Sequence, residues 1–259
     1  LSAIALVLFF IGTSRIPNPD AFICILLSGL TFLIFYRVES GKSSPLFPIT
    51  LISSNRTFSF SNLAALINYS ATFAVTFLLS LYLQIVRGMS PATAGSILLI
   101  QPFIQMVIAP VAGRLSDRTD TSRLAAIGLF TSSAGLLGLA FLGMDTALSW
   151  IVLFLIFLGF GLGLFSTPNT TVVMGSVEKS QYGIASSFLA TMRSTGMMLS
   201  MGIVMIVFSI LLGSTSINPE MSQGFLASMQ IIFLVFFVLT ILGALISLDK
   251  KNPDRRMEA

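Results

Sequence analysis

A short run of charges, GRLSDRTDTSR at positions 113–123, contains the residues of this sequence that are best suited to polar chemistry. Only 9% of the 259 residues are charged, yet this run holds two aspartates and three arginines between two long apolar stretches. A carboxylate is stabilised near a helix N-terminus, and arginines bind carboxylates or the exposed carbonyls of helix ends. The run therefore predicts a loop in which Gly113 ends one helix, Asp117 lies near the start of the next, and Arg118 and Arg123 bind neighbouring helix ends.

The elements that must position these charges are transmembrane helices. Hydrophobic residues make up 55% of the chain, the mean hydropathy is +0.95, and 23 phenylalanines accompany a single tryptophan. A helix of about 20 apolar residues crosses a bilayer core, and the alternation that a barrel would need is missing. The sequence thus predicts an all-α integral membrane bundle. Its expected spans, the first of them partial, lie near 1–13, 20–37, 60–84, 92–113, 124–143, 149–168, 183–212 and 226–247.

No group of residues has the composition of a catalytic or metal-binding site. Histidine is absent, Cys24 is the single cysteine, and the phosphate-binding pattern G-x-x-x-x-G-K-[ST] does not occur. An intramembrane enzyme would bury a catalytic pair, whereas all ten acids fall in loops, at span ends or in the tail. We therefore predict that the chain is not an enzyme and uses no cofactor or metal.

Basic residues are distributed unevenly between the two sets of loops. Lys and Arg in short loops favour the cytoplasmic side of a membrane. One set of loops, with the C-terminal tail, contains eleven of the fourteen, and the alternate loops contain Arg15 and Arg87. This asymmetry predicts a cytoplasmic C-terminus, and it argues against nucleic-acid binding as the reason for the net charge of +4.

With this topology, the last six spans divide into two sets of three with opposite orientation. SPATAG at 90–95 opens the middle span of the first set, and SQYGIAS at 180–186 opens the middle span of the second. Inverted repeats are common in secondary transporters, whose substrate site lies between the related halves near the bilayer midplane. The pattern favours a transporter.

The loop GRLSDR resembles a motif of the major facilitator superfamily, in which Gly is followed four residues later by Asp and Arg. The matching residues are Gly113, Asp117, Arg118 and Arg123. Asp120 and Ser122 depart from the motif, which usually has Gly and a basic residue there. SPLFPITLISSNRTFSFSNL, YLQIVRGMSPATAG and GFGLGLFSTPNTTVV narrow the resemblance to the fourteen-span drug/proton antiporters of that superfamily.

The resemblance implies three parts in the chain. Residues 1–43 would be two central transmembrane helices, the first truncated, 44–247 the C-terminal six-helix half of a transporter, and 248–259 a cytoplasmic tail. Leu1 lies within an apolar run, so we expect an N-terminal half of the same polypeptide to precede it. The titratable acid that proton coupling needs is expected in that half, because the present spans contain none.

The resemblance also implies a function, the export of drugs or other amphipathic compounds across the cell membrane in exchange for protons. The charged loop would then hold the cytoplasmic side closed in one conformation, or else its charges only fix the topology. The lipid bilayer and the N-terminal half are the other expected partners. Two alternatives stay open, a uniporter or importer of another small metabolite and a membrane scaffold or sensor that does not transport.

Polar residues within the spans are the candidates for the transport pathway, since burying them in lipid without partners costs free energy. Gln101 and Gln105 lie on one helix face, near two prolines that would loosen the helix. The other candidates are Asn68 with its neighbour Tyr69, Asn169 and Arg193. For the amides, interhelical hydrogen bonding is the alternative role.

Arg193 is the only charge well inside a span, about 15 Å into its helix and close to the midplane. We expect it to contact a carbonyl at a helix break, a polar side chain such as Gln101 or Asn68, or a carboxylate of the N-terminal half. For a cationic drug it would neutralise an acid in the proton pathway without touching the drug. A purely structural hydrogen-bonding role is the alternative.

Small residues spaced four apart predict close contacts between helices. The pairs are Gly128 and Ser132, Gly159 and Gly163, and Gly196 and Ser200. Such surfaces would slide in a moving carrier, and static packing explains them equally well.

Overall fold

The computed structural model describes residues 2–14, 19–40, 49–212 and 222–248. The helices in chain order are α1 (Ser2–Ser14), α2 (Pro19–Ser40), α3 (Ile49–Ser54), α4 (Arg56–Leu81), α5 (Pro91–Leu98), α6 (Ile100–Ser116), α7 (Thr121–Ala140), α8 (Leu148–Gly175), α9 (Tyr182–Leu212) and α10 (Ser222–Leu248). A π-helical turn, Tyr82–Val86, continues α4, and a 3-10 turn, Lys179–Gln181, precedes α9. These ranges contain no strand, so the predicted all-α class is confirmed.

Six helical segments in the described part of the chain are long and apolar enough to cross a membrane. They are Arg56–Val86, Pro91–Ser116, Thr121–Ala140, Leu148–Gly175, Lys179–Leu211 and Gln223–Leu248. Each corresponds to one of the last six spans that the sequence predicts, and the chain is a multi-pass membrane protein. Apart from Leu248, the predicted tail 248–259 lies outside the described residues, as does Arg15.

Two helices precede these six spans and pack against each other. Ser28 Oγ of α2 donates a hydrogen bond to the Ala5 carbonyl of α1 over 2.7 Å. Among the side chains that the structure describes, the apolar segment of α2 is Asp20–Ile34, and a membrane crossing requires about 20 apolar residues. That α1 and α2 cross the membrane therefore stays a prediction.

Side-chain caps fix where several spans begin. Asn55 Oδ1 accepts from the Phe58 amide over 3.0 Å ahead of α4, and Ser90 Oγ accepts from the Thr93 amide over 3.2 Å ahead of α5. Asp120 caps α7 in the same way. These contacts satisfy amide groups that the first turn of a helix leaves without partners.

The six spans pack in a reciprocal pattern. The first span of the first set, α4, packs against α9, the middle span of the second set. In return α8, the first span of the second set, packs against α6, which with α5 forms the middle span of the first. The two third spans, α7 and α10, pack against each other. Exchanging the two sets leaves the pattern unchanged, as an inverted repeat requires.

Large apolar side chains fill the space between the spans. Tyr82, Leu136, Leu155, Phe233 and Phe236 belong to one cluster and are fully buried. Because lipid is as apolar as these side chains, close packing stabilises the helix contacts more than exclusion from water does. The small residues at the helix crossings therefore determine how closely neighbouring helices approach each other.

Candidate functional site

A groove opens where a proline interrupts the second membrane span. Pro102 has no amide hydrogen to donate to the Leu98 carbonyl four residues earlier. The helix is interrupted at Leu99, between α5 and α6. The groove beside this interruption has a volume of about 280 Å³. Its lining comes from α4, α5, α6 and α8 and consists of Thr72, Thr76, Gly95, Leu98, Leu99, Gln101, Pro102, Gln105 and Leu162.

Gln101 and Gln105, predicted from their spacing to share a face, both line this groove. Gln101 is buried and Gln105 is half-buried. Their helix approaches α8 closely because α8 has glycines at the crossing. A methyl group on Gly159 would lie 2.5 Å from the Gln101 carbonyl oxygen, and one on Gly163 would lie 2.9 Å from Ile108 Cβ. This contact fixes the position of the α6 backbone that carries both glutamines.

The opposite wall of the groove presents two hydroxyl groups that the sequence does not single out. Thr72 Oγ1 donates to the Asn68 carbonyl over 2.8 Å, and Thr76 Oγ1 donates to the Thr72 carbonyl over 3.3 Å. Their donors are thus occupied, and their lone pairs remain as acceptors. The signal available in the sequence is the spacing of positions 68, 72 and 76, which places all three on one face of α4.

Arg193 of α9 contacts α4 and α8. Its Nη2 donates to Thr170 Oγ1 over 2.8 Å, and its Cζ lies 5.2 Å from the centre of the Tyr69 ring. A cation over an aromatic face is attracted by the ring quadrupole. The partners expected from the sequence, Gln101 and Asn68, make no hydrogen bond with Arg193 among the described residues. Arg193 does not bind Gln101 because α9 packs on α4 at Tyr69, whereas Gln101 lines the groove.

Asn68 and Asn169 lie inside the bundle, each 1% exposed. Asn169 Nδ2 donates to the Ser61 carbonyl over 3.2 Å, whereas Asn169 Oδ1 and Asn68 Nδ2 have no partner within the described ranges. The sequence predicts that this span ends near residue 168, and that prediction is wrong because α8 continues to Gly175. Pro168 is tolerated inside the helix since neighbouring helices and hydroxyl groups can satisfy the backbone that it frees.

The groove and the Arg193 contact lie along one face of α4. Positions 69, 72 and 76 are neighbours on that face and extend over about 10 Å of the helix axis. Tyr69 lies under Arg193, and Thr72 and Thr76 line the groove. We call Gln101 and Gln105 of the groove, together with Arg193 at Tyr69, the polar strip, since Tyr69 shares a face of α4 with the groove residues Thr72 and Thr76. Asn68 and Asn169 are buried within the bundle.

The charged loop differs from its prediction in two respects. α6 continues through Gly113, and Asp117 is the C-terminal cap of that helix instead of lying near the start of α7. Asp120 takes the capping role, with its Oδ1 accepting from the amides of Ser122 over 3.0 Å and Arg123 over 3.3 Å. Its Oδ2 also lies 3.4 Å from Arg123 Nε. A capping carboxylate must directly precede the helix, and Asp117 is too far upstream.

Asp117 and Arg118, the centre of the motif, are both exposed. Neither side chain forms an ion pair or a hydrogen bond with any other residue that the structure describes. Their charges are therefore available to a segment beyond these residues.

Glycines lie at two further helix crossings. A methyl group on Gly128 of α7 would lie 2.7 Å from the Gly161 carbonyl oxygen of α8. One on Gly196 of α9 would meet the Leu66 carbonyl oxygen of α4. Ser70 Oγ donates to the Gly196 carbonyl over 2.6 Å at the same crossing. The backbones at these positions approach too closely for any larger residue.

At the end of the bundle opposite the charged loop, Tyr82 and Arg87 form a polar clamp that the sequence analysis did not predict. Tyr82 donates its hydroxyl to the Gly143 carbonyl over 2.7 Å. Arg87 Nη1 donates to the carbonyls of Met144 over 3.0 Å and Thr146 over 3.1 Å. The clamp ties the end of α4 to the loop between α7 and α8. The sequence signal that could have indicated the clamp is Arg87, a single arginine in a loop of otherwise neutral residues.

Comparison with known proteins gives both a family and several relatives. The family model described as Major Facilitator Superfamily matches residues 1–201. The riboflavin transporter RibZ of Clostridioides difficile is 32% identical over 169 residues, which cover 64% of this chain and 37% of that protein. A tetracycline resistance determinant of Streptomyces rimosus is 34% identical over 52% of this chain and 40% of its own length. The probable transport protein HsrA of Haemophilus influenzae is 23% identical over 98% of this chain and 54% of its own length.

Proposed function

The chain belongs to the major facilitator superfamily, and we propose that it is part of a secondary transporter that exports drugs or other amphipathic compounds in exchange for protons. The observation that carries the proposal is the polar strip formed by Gln101, Gln105 and Arg193 within membrane spans. Relatives named for riboflavin transport and for tetracycline resistance support the transport of polar, ring-containing compounds. Matches that cover only 37% to 54% of the three relatives' lengths agree with a longer transporter.

The proposed organisation follows the division expected from the sequence. Residues 1–43 are the two central helices, 44–247 the C-terminal six-helix half, and 248–259 a cytoplasmic tail in a cell-membrane protein. The reciprocal packing of α4 on α9 and α8 on α6 supports the six-helix unit. The distribution of eleven basic residues against two supports the orientation.

The composition of the groove suits an amphipathic compound. Leu98, Leu99 and Leu162 supply apolar surface, while the amide groups of Gln101 and Gln105 supply hydrogen-bond donors and acceptors. Pockets for small molecules usually combine apolar walls with a few polar groups that fix the orientation of the ligand. The substrate would place its rings against the leucines and its polar groups against α6.

The exposed loop has the charges that a cytoplasmic gate needs. Asp117 and Arg118 would bind helix ends of the N-terminal half in one conformation and release them in the other. Asp120 and Arg123 would hold the loop in place by capping α7. Because Asp117 and Arg118 would make these contacts in only one conformation, the loop would shift the equilibrium towards that conformation.

Proton coupling requires a titratable group in the pathway. The six acids of the described residues all lie at helix ends or in loops. The proposed proton carrier is therefore an acid of the N-terminal half.

Transport by the complete polypeptide in everted membrane vesicles tests this function. We expect tetracycline or a similar ring compound to accumulate in the vesicles only while a proton gradient is present. Gln101→Ala should raise KM about 2- to 10-fold, the effect of one lost hydrogen bond. Gln223→Ala, at an exposed position on α10, is the matched control and should change nothing.

The alternative outcomes separate the candidate functions. Accumulation of riboflavin without any drug would favour the metabolite transporter that the C. difficile relative suggests. Equal transport with and without the proton gradient would indicate a uniporter. No transport of either compound by well-expressed protein would favour the scaffold or sensor.

A further inference from the structure

The guanidinium group of Arg193 is held in place from two sides. Thr170 Oγ1 accepts a hydrogen bond from Nη2 over 2.8 Å, and Tyr69 covers one face of the group at 5.2 Å. Thr170 also donates its own hydroxyl hydrogen to the Ser166 carbonyl over 2.8 Å, so it is oriented as an acceptor. Both contacts are neutral, and they orient the charge without cancelling it.

Part of this group is still able to bind a ligand. A guanidinium has five N–H donors in a planar fork, and one of them is used by Thr170. Nε is buried and has no hydrogen-bond partner within the described ranges. The fork pairs best with two oxygens of an anion, and Arg193, which is half-buried, has no such partner among the described residues.

The charge of Arg193 is not balanced by any acid in the described part of the membrane interior. The acids of these residues lie at helix ends or in loops, at Asp20, Glu39, Asp117, Asp120, Asp145 and Glu178. The other polar groups near the strip are the neutral side chains of Gln101, Gln105, Thr72 and Thr76. Within the described residues, the polar strip therefore carries one fixed positive charge, that of Arg193.

Arg193 contacts the face of α4 that also lines the groove. Tyr69, Thr72 and Thr76 are neighbours on one face of α4, and the distance from Tyr69 to Thr76 is about 10 Å along the helix. A fused aromatic compound has a similar length. One end of such a compound can lie in the groove while an oxygen at its other end reaches Arg193.

We propose that Arg193, positioned by Thr170 and Tyr69, binds an acidic oxygen of the substrate, a carboxylate, phenolate or enolate. This inference rests on the proposed function and narrows its substrate class to anionic or neutral oxygen-rich compounds. Lipophilic cations would be repelled by the same charge. It replaces the expectation from the sequence that, for a cationic drug, Arg193 neutralises an acid of the proton pathway without touching the drug.

Two dyes with the same ring system and opposite charge test the inference. Fluorescein is anionic and an esterified rhodamine is cationic, and fluorescence anisotropy measures the binding of each to the purified complete carrier. We expect the parental protein to bind the anionic dye more tightly. Arg193→Gln should weaken binding of the anionic dye on the order of 30-fold, the effect of losing a charge-assisted hydrogen bond at a half-buried site.

Further variants keep the test valid if the glutamine variant folds poorly. Arg193→Lys keeps the charge and loses the fork, so it should retain part of the affinity. Thr170→Val keeps the charge and loses one positioning contact, so it should weaken binding a few-fold. Arg114→Gln makes the same chemical change at an exposed helix end and should leave binding unchanged.

The outcomes distinguish this inference from the proposed function. Equal affinity for the two dyes, no binding of the anionic dye, or the same anionic-dye affinity in Arg193→Gln and the parental protein would overturn the inference. If only the pH dependence of transport changes in that variant, Arg193 serves a protein acid instead, and the inference is also wrong. If the parental carrier binds the anionic dye through Arg193 but shows no proton-driven transport, the proposed function is wrong and the inference about Arg193 stands.

Discussion

Replacing Gly159 by alanine should separate α6 from α8 and destabilise the bundle. The added methyl group would lie 2.5 Å from the Gln101 carbonyl oxygen and 2.9 Å from Ile104 Cβ. An ordinary carbon–oxygen contact is about 3.3 Å, so α6 would have to withdraw by about 0.8 Å. Overpacking of this kind costs about 1–3 kcal/mol, against a gain of about 0.5–1 kcal/mol from the higher helix propensity of alanine.

The net loss is therefore up to about 2.5 kcal/mol. It should lower the melting temperature by up to several degrees relative to the Gly183→Ala control described below, which gains the same helix propensity without the overpacking. Heating in detergent followed by size-exclusion chromatography measures the melting temperature. Gly163→Ala should destabilise the bundle as well, because the added methyl group would lie 2.9 Å from Ile108 Cβ, an atom attached directly to the α6 backbone. Gly183→Ala is the matched control, since no atom lies within 4 Å of the added methyl group. If Gly159→Ala and Gly183→Ala melt at the same temperature, the close crossing of α6 and α8 is refuted.

Three further predictions concern the two ends of the bundle. Asp120→Ala should destabilise the protein by about 1 kcal/mol through loss of the α7 cap, which a lower melting temperature would show. Asp117→Asn should instead leave stability unchanged and impair transport. Unchanged transport kinetics would leave Asp117 with a topological role only. Arg87→Gln removes two charge-assisted hydrogen bonds and should cost about 1.5–3 kcal/mol, with normal thermal stability as the contrary result. Cysteines at Asp117 and Asp145, in a Cys24→Ser background, should react with an impermeant maleimide from opposite sides of the membrane, and labelling from one side would contradict the inverted repeat.

The positions of the last six spans follow from the sequence because lipid demands about 20 apolar residues in a helix, whatever the neighbours are. The end of α8 does not follow in this way. The polar residues after Pro168 read as a loop, but inside the bundle Asn169 binds the Ser61 carbonyl and Thr170 binds Arg193. Tertiary partners thus keep helical a segment that its composition alone would end.

The contacts of the candidate site depend on which helices pack together, and local spacing does not determine that. Spacing does predict that Gln101 and Gln105 share a face, since both are on one helix. The partners of Arg193 require knowing that α9 crosses α4 at Tyr69 and approaches α8 at Thr170. The charged loop shows that a motif match can select the wrong residue for a structural role. The motif pointed to Asp117, whereas Asp120, which departs from the motif, caps α7.

Proton flux coupled to substrate movement in proteoliposomes tests the proposed function most directly. The purified complete carrier is reconstituted with a pH-sensitive dye in an acidic lumen, and the substrate that it binds is added outside. We predict that substrate enters against its gradient while the lumen becomes more alkaline, and that both processes stop when an ionophore removes the pH difference. Substrate entry that leaves the internal pH unchanged, or that proceeds equally without a pH difference, would contradict proton-coupled export.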